Sequence, residues 1–153
     1  MVSQPLVFAR ERSGLGRDYV TLAAAAVDQS GRLSYVLVGY MWSVGSSPGP
    51  KDVRLAAARV RLQADDRQVD LNLYDHSARE LGIGVPVHRP PFGPATPYVY
   101  VIDLATLQLL AESRRLSICV RDQSPPLNYH LFEDGRNALK EFVRFVRAKY
   151  QTL

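Results

Sequence analysis

Three histidines, one cysteine and two adjacent carboxylate pairs hold most of the acid–base, nucleophilic and metal-binding chemistry open to this chain. His76 follows Asp75 directly, and His88 lies further along the same connection. Two imidazoles and a carboxylate are donors that a divalent metal accepts, but a protein site needs three or four that converge. No two histidines stand at i, i+4 spacing, and solvated loop positions explain all three residues equally well. No metal or cofactor is therefore assigned. A small enzyme or metal-dependent site built from Asp75, His76 and His88 is kept as an alternative.

The other candidates have structural explanations. Cys119 stands in the alternating run "RLSICVR", where a mid-strand thiol is usually a small packing residue. Asp65-Asp66 falls at a hairpin tip, where Asp favours tight turns. Glu133-Asp134 precedes a helical pattern, where Asp caps the first turn. Gly-x-Ser-x-Gly does not occur, and the Gly-x-Gly of "SGLGRD" and "GIGVP" continues to no phosphate-binding loop. No catalytic residue is assigned.

Binding chemistry concentrates in "DHSARELGIGVPVHRPPFGPATP", residues 75–97. Connections beyond about 12–15 residues are uncommon in small domains and are often functional. One helical turn is expected near Ser77–Leu81. The prolines that follow exclude helix and central strand and stiffen the chain, which lowers the entropy lost on binding. Phe92 has few apolar neighbours in sequence, so it either pins the loop to the sheet or meets a partner. Tyr74, Asp75, His76, His88, Arg89 and Phe92 are the expected contacts of a non-enzymatic interaction domain whose partner is probed first among proteins. Weak nucleic-acid binding through Arg136, Lys140, Arg144 and Arg147 of a terminal helix is a further alternative. A solvated helix face explains those residues without it, and nucleic acid is not the expected partner.

The elements that position these residues follow from periodicity. Residues 1–17 read as a loosely ordered lead-in with an edge strand at Leu6-Val7-Phe8, and 18–153 as a single domain. "DYVTLAAAAV" and "RLSYVLVGYMWSV" flank Asp28-Gln29-Ser30-Gly31 as a hairpin. The second run is apolar on both faces, with Tyr35, Leu37 and Met41 on one and Val36, Val38, Tyr40 and Trp42 on the other. Such a strand is central and covered twice. "VRLAAARVRLQA" alternates with a slip of one residue, expected as a bulged strand whose open edge would make a homodimer easy. "QVDLNLY" completes a second hairpin, with Val69, Leu71 and Leu73 inward. "YVYVI", "RLSICVR" and "LNYHLF" are further strands. Asp103 opens a helix through Leu104, Leu107, Leu110 and Ala111. Asp134 opens the last, with its stripe at Leu139, Phe142, Val143, Val146 and Tyr150. The expected fold is α+β: a mainly antiparallel sheet of about seven strands, sandwich-like, with two helices, one C-terminal.

A chain of 153 residues can bury a core without staples, and one cysteine excludes an intrachain disulfide. The net charge is +4 and the pI about 9.4. Sixteen of the nineteen basic residues are arginine, a bias expected of a GC-rich bacterial genome. No run of eighteen apolar residues spans a membrane. No charged segment followed by a long apolar one opens the chain, so the expected compartment is the cytoplasm, or the periplasm and cell envelope if Met1 is not the native start.

Overall fold

A computed structural model describes residues 3–11, 16–44, 53–74, 77, 80–81, 97–121 and 126–150. The chain order is β1 (Leu6–Glu11), β2 (Arg17–Gln29), β3 (Arg32–Val44), α1 (Val53–Ala57), β4 (Val60–Ala64), β5 (Arg67–Asp70), β6 (Asn72–Leu73), β7 (Tyr98–Ile102), α2 (Leu104–Glu112), β8 (Leu116–Val120), β9 (Leu127–Glu133) and α3 (Arg136–Tyr150). The fold is mainly antiparallel β with helices, one of them C-terminal. The sheet has nine strands rather than about seven, in the order β5-β4-β8-β9-β1-β2-β3-β7-β6. It is one nearly barrel-shaped sheet and not a sandwich.

The closure has a local cause. β5 and β6 stand at opposite ends of the strand order, yet only Leu71 separates them in the chain. The Leu71 N–H donates to the Val60 carbonyl on one side at 3.0 Å, and the Tyr74 N–H donates to the Val99 carbonyl on the other at 2.8 Å. One extended segment therefore seals both edges, which removes the unpaired N–H and C=O rows that an open sheet exposes.

Alternation then sorts the side chains. Phe8, Val20, Leu22, Leu37, Leu62, Leu71, Tyr100, Ile118 and Tyr129 join one inner core, with Val69 and Leu73 packed against it as expected. Gly39 belongs to the inward-facing set, and a Cβ there would meet Leu22 Cδ2 at 2.9 Å and Tyr100 Cε2 at 3.2 Å. The helices complete the same core. Ala56 of α1 joins it from the end where β7 begins, and the Tyr100 hydroxyl donates to the Ala57 carbonyl at 2.8 Å. Leu107 and Leu110 of α2, and Leu139, Phe142 and Val146 of α3, join it from the end where β7 stops.

Four expectations are corrected. Residues 53–64 are not one bulged strand. Val53–Ala57 is helical, as the Ala-rich stretch favours, and the phase slip marks the junction with β4. The open edge expected there does not exist, because β4 is bonded to β5 and β8. Leu6–Glu11 is a central strand between β9 and β2, not an edge, and the ladder irregularity lies between Val7 and Phe8. The first hairpin turns on two residues, since pairing runs through Gln29 and Arg32. Ser30 (φ 55°) and Gly31 (φ 86°) make the turn, a geometry that matches strand twist.

Two further local expectations stand. β2 holds Ala23–Ala26 as strand, and Asp103 caps α2 by accepting from the Thr106 N–H at 2.7 Å. No helix among the described residues is long and apolar enough to cross a membrane.

Candidate functional site

Of the six residues expected to bind, the structure describes Tyr74. Asp75, His76, His88, Arg89 and Phe92 lie outside the described residues. Tyr74 leaves β6 beside Val99 and packs against an outer apolar cluster of Ala25, Val27, Val36, Val38, Tyr40, Leu81 and Val99. Where a helical turn is expected near Ser77–Leu81, the Leu81 N–H donates to the Ser77 carbonyl at 3.1 Å. The Ser77 N–H donates to Glu80 Oε1 at 3.4 Å, and the Glu80 N–H donates to Ser77 Oγ at 3.2 Å, a reciprocal cap. The turn seats Leu81 on the outer face of β3 and β7, where it is 8% exposed. Ser77, Glu80 and Leu81 are therefore held by packing and hydrogen bonds.

Trp42 extends that cluster sideways. It packs against Tyr40 and Leu81's group on one side and against Val7, Ala9 and Tyr19 on the other. Its ring stacks on Tyr19 with centroids 4.1 Å apart and planes at 12°. The indole N–H donates to Thr21 Oγ1 at 3.0 Å, which holds the ring on the strand. Phe132 meets Tyr19 edge-on at 5.6 Å and is 49% exposed. The Arg17 guanidinium lies 5.9 Å from the Phe132 centroid and pairs with Glu11 at 2.9 Å. Aromatic rings with arginine at their margin are the residue types enriched at protein interfaces. Sequence reasoning missed Tyr19, Phe132 and Arg17. The available signal was Phe132 itself, a large apolar residue in the polar phase of β9 with Asn128 and His130.

Past Gly39, β3 runs beyond the start of β7. Residues Tyr40–Val44 pair with β2 alone among the described residues. This stretch of strand edge lies beside the Trp42 ring.

The charged residues are largely committed to structure. Asp18, 2% exposed, accepts from Arg10 Nη1 at 3.2 Å and from Ser43 Oγ at 2.8 Å, all three in the inward phase of their strands. Asp65 accepts the N–H groups of Arg114 and Arg115 at 3.0 and 2.8 Å. Asp134 accepts from the Arg136 backbone N–H at 3.0 Å and grips its guanidinium at 2.6 Å. Arg136 in turn donates to the carbonyls of Ser113 and Arg114 at 2.7 and 2.9 Å. Arg136 thus ties α3 to the end of α2, while Lys140, Arg144 and Arg147 line a groove between those helices.

Cys119 is half-buried on the outer face, opposite Arg61 and Asn128 in register. Arg61 donates to Asp70 at 2.6 Å and holds its carboxyl below the usual value. Among the described residues, no group of three or more His, Cys, Asp or Glu side chains could hold a metal. The chain matches no protein-family model, no curated protein and no solved structure.

Proposed function

We propose that this chain is a non-enzymatic binding domain that engages another protein through the 75–98 segment and the adjoining strand ends. The contacts are Tyr74, Asp75, His76, His88, Arg89 and Phe92, joined by Trp42, Phe132 and Arg17. One observation carries the extension: Trp42 belongs to both outer clusters, so the seat of Tyr74 and Leu81 continues into the Tyr19–Phe132 aromatic row. A binding segment that leaves a fixed platform loses less entropy on docking than one hung from a mobile hinge. Tyr40–Val44, which among the described residues pairs with β2 alone, adds an edge whose backbone donors and acceptors a partner strand can use. The metal-assisted alternative at Asp75, His76 and His88 lies outside the described residues.

The test is photo-crosslinking from positions 92 and 132 in cells of the source organism, followed by binding measurements with the protein captured from both. The double variant Arg89→Ala, Phe92→Ala should weaken that complex by at least about tenfold, as loss of a hot spot does. Its melting temperature should stay close to that of the parent. A large fall in stability with unchanged affinity would instead make the segment a packing element and defeat the proposal.

A further inference from the structure

The net charge of the chain resides in one helix. α3 carries Arg136, Lys140, Arg144, Arg147 and Lys149 against the single carboxylate Glu141, a net charge equal to the +4 of all 153 residues. The rest of the chain is balanced. Arg136 is spent on Asp134. The others divide by flank. Lys140, Arg144 and Arg147 are exposed and line the groove against α2, whereas Glu141 lines a separate depression with Ser3, Asn137 and Phe145.

Helix electrostatics explains only part of this pattern. Cations in the last turn, such as Arg147 and Lys149, are favoured by the helix dipole. Lys140 lies in the N-terminal half, and α3 has no acidic residue in its first turn. The dipole therefore does not account for Lys140, which also acts on the Asp134 carboxylate ahead of α3. The groove has a volume of about 390 Å³ and a floor of Ala111 and Val143, both buried. Its one carboxylate, Glu112, accepts from Gln108 Nε2 at 3.0 Å. Three cations therefore face one carboxylate that is already hydrogen-bonded.

We propose that the α2–α3 groove binds the phosphate backbone of a nucleic acid strand. Lys140 and Arg147 are seven residues apart on α3, about 10 Å along its axis. Each strand of a duplex carries one charge per about 3.4 Å, so the three side chains meet about three phosphates. The groove lining holds no aromatic ring among the described residues, and the exposed Phe145 lines the separate depression on the other flank, which leaves backbone contact without base stacking and hence without sequence preference. A concave, charged groove suits a strand better than a membrane surface, which calls for an apolar face to insert. The site stands at the barrel end where β7 stops, whereas Tyr74 and Tyr98 lie at the end where β7 begins, and it is independent of the protein contact proposed above.

The test is fluorescence anisotropy of the full chain with labelled single-stranded and duplex oligonucleotides, at salt from about 50 to about 200 mM. Binding should be strongest at low salt and fall with a log–log slope of about −2 to −3, as three phosphate contacts require. K140Q/R144Q/R147Q should weaken low-salt binding more than about tenfold and flatten the slope, with the melting temperature retained as the control for folding. R59Q, an exposed position at the barrel end where α1 lies, should bind like the parent. Absence of binding at the lowest salt would overturn the proposal, as would binding that the triple variant keeps. Retention on phosphatidylserine–phosphatidylcholine vesicles without oligonucleotide binding would also overturn it, and would assign the groove to a membrane surface.

Discussion

Tyr100 shows how much one side chain is asked to do. Its ring fills the core against Gly39, and its hydroxyl is the link from β7 to the Ala57 carbonyl of α1. Burial pushes the phenol's pKa well above its ordinary value, so it stays a neutral donor at any working pH. Tyr100→Phe keeps the ring and leaves the Ala57 carbonyl without that donor. The expected cost is about 1–3 kcal/mol. In a chain of this size each kcal/mol lowers the melting temperature by about 2–4 °C, which calorimetry resolves. A variant that melts with the parent would show that water replaces the hydroxyl at no cost.

Among elements, the Arg67–Tyr74 segment decides whether the sheet has edges. Leu71 is buried and contributes both an inward side chain and an N–H to β4. Leu71→Ala should cost about 2–5 kcal/mol in denaturant unfolding, the range for a large-to-small core change. Leu71→Pro removes the N–H and should part β5 from β4, leaving two strand edges unpaired. That variant should self-associate in a concentration-dependent way on size exclusion, because open edges template pairing. A Leu71→Pro protein that stays monomeric and stable would mean that the helices, not the closing strand, hold the barrel together. α1 is a second case at this scale. Its five residues form no isolated helix in water; Ala56 and Ala57 hold it by burial in the core.

For the molecule as a whole, pH is the simplest probe of how its surface charges support the fold. Asp70, Asp103 and Asp134 all titrate below the ordinary 3.8, the first and last through hydrogen bonds from Arg61 and Arg136, Asp103 through Thr106. A carboxyl whose folded value lies below its unfolded value stabilises the fold fully above the unfolded value. That contribution is lost as pH falls through the folded one. Urea unfolding followed from neutral pH downwards should show stability declining below about pH 4. Asp134→Asn should start lower and decline less steeply. A parallel decline in both proteins would show that the Arg136 clamp is screened away by solvent. The same whole-molecule view shows that the +4 charge is not a mild coating. It is one helix laid beside another, which is why α3 and not the sheet is the place to test for polyanions.

Much of the local structure was legible because it depends on neighbours in the chain. The two apolar faces of β3, the inward Val69–Leu71–Leu73 phase, the Asp103 and Asp134 caps and the α3 stripe all follow from spacing, since side-chain direction repeats every two residues in a strand and every 3.6 in a helix. Near Ser77–Leu81, where spacing predicts one helical turn, Ser77 and Glu80 cap each other. What spacing leaves open is which strands pair and which side chains meet. A one-residue phase slip reads as a bulge until the chain shows that Ala56 is needed in the core. The junction at Leu71 reads as strand whether or not it closes a barrel. Tyr19, Trp42 and Phe132 lie far apart in sequence, and Lys140, Arg144 and Arg147 read as a solvated face until α2 lies beside them. Sequence alone determined the elements and their buried faces. Tertiary structure decided the closure, the aromatic row and the basic groove, because each is a contact between segments whose separation no local period encodes.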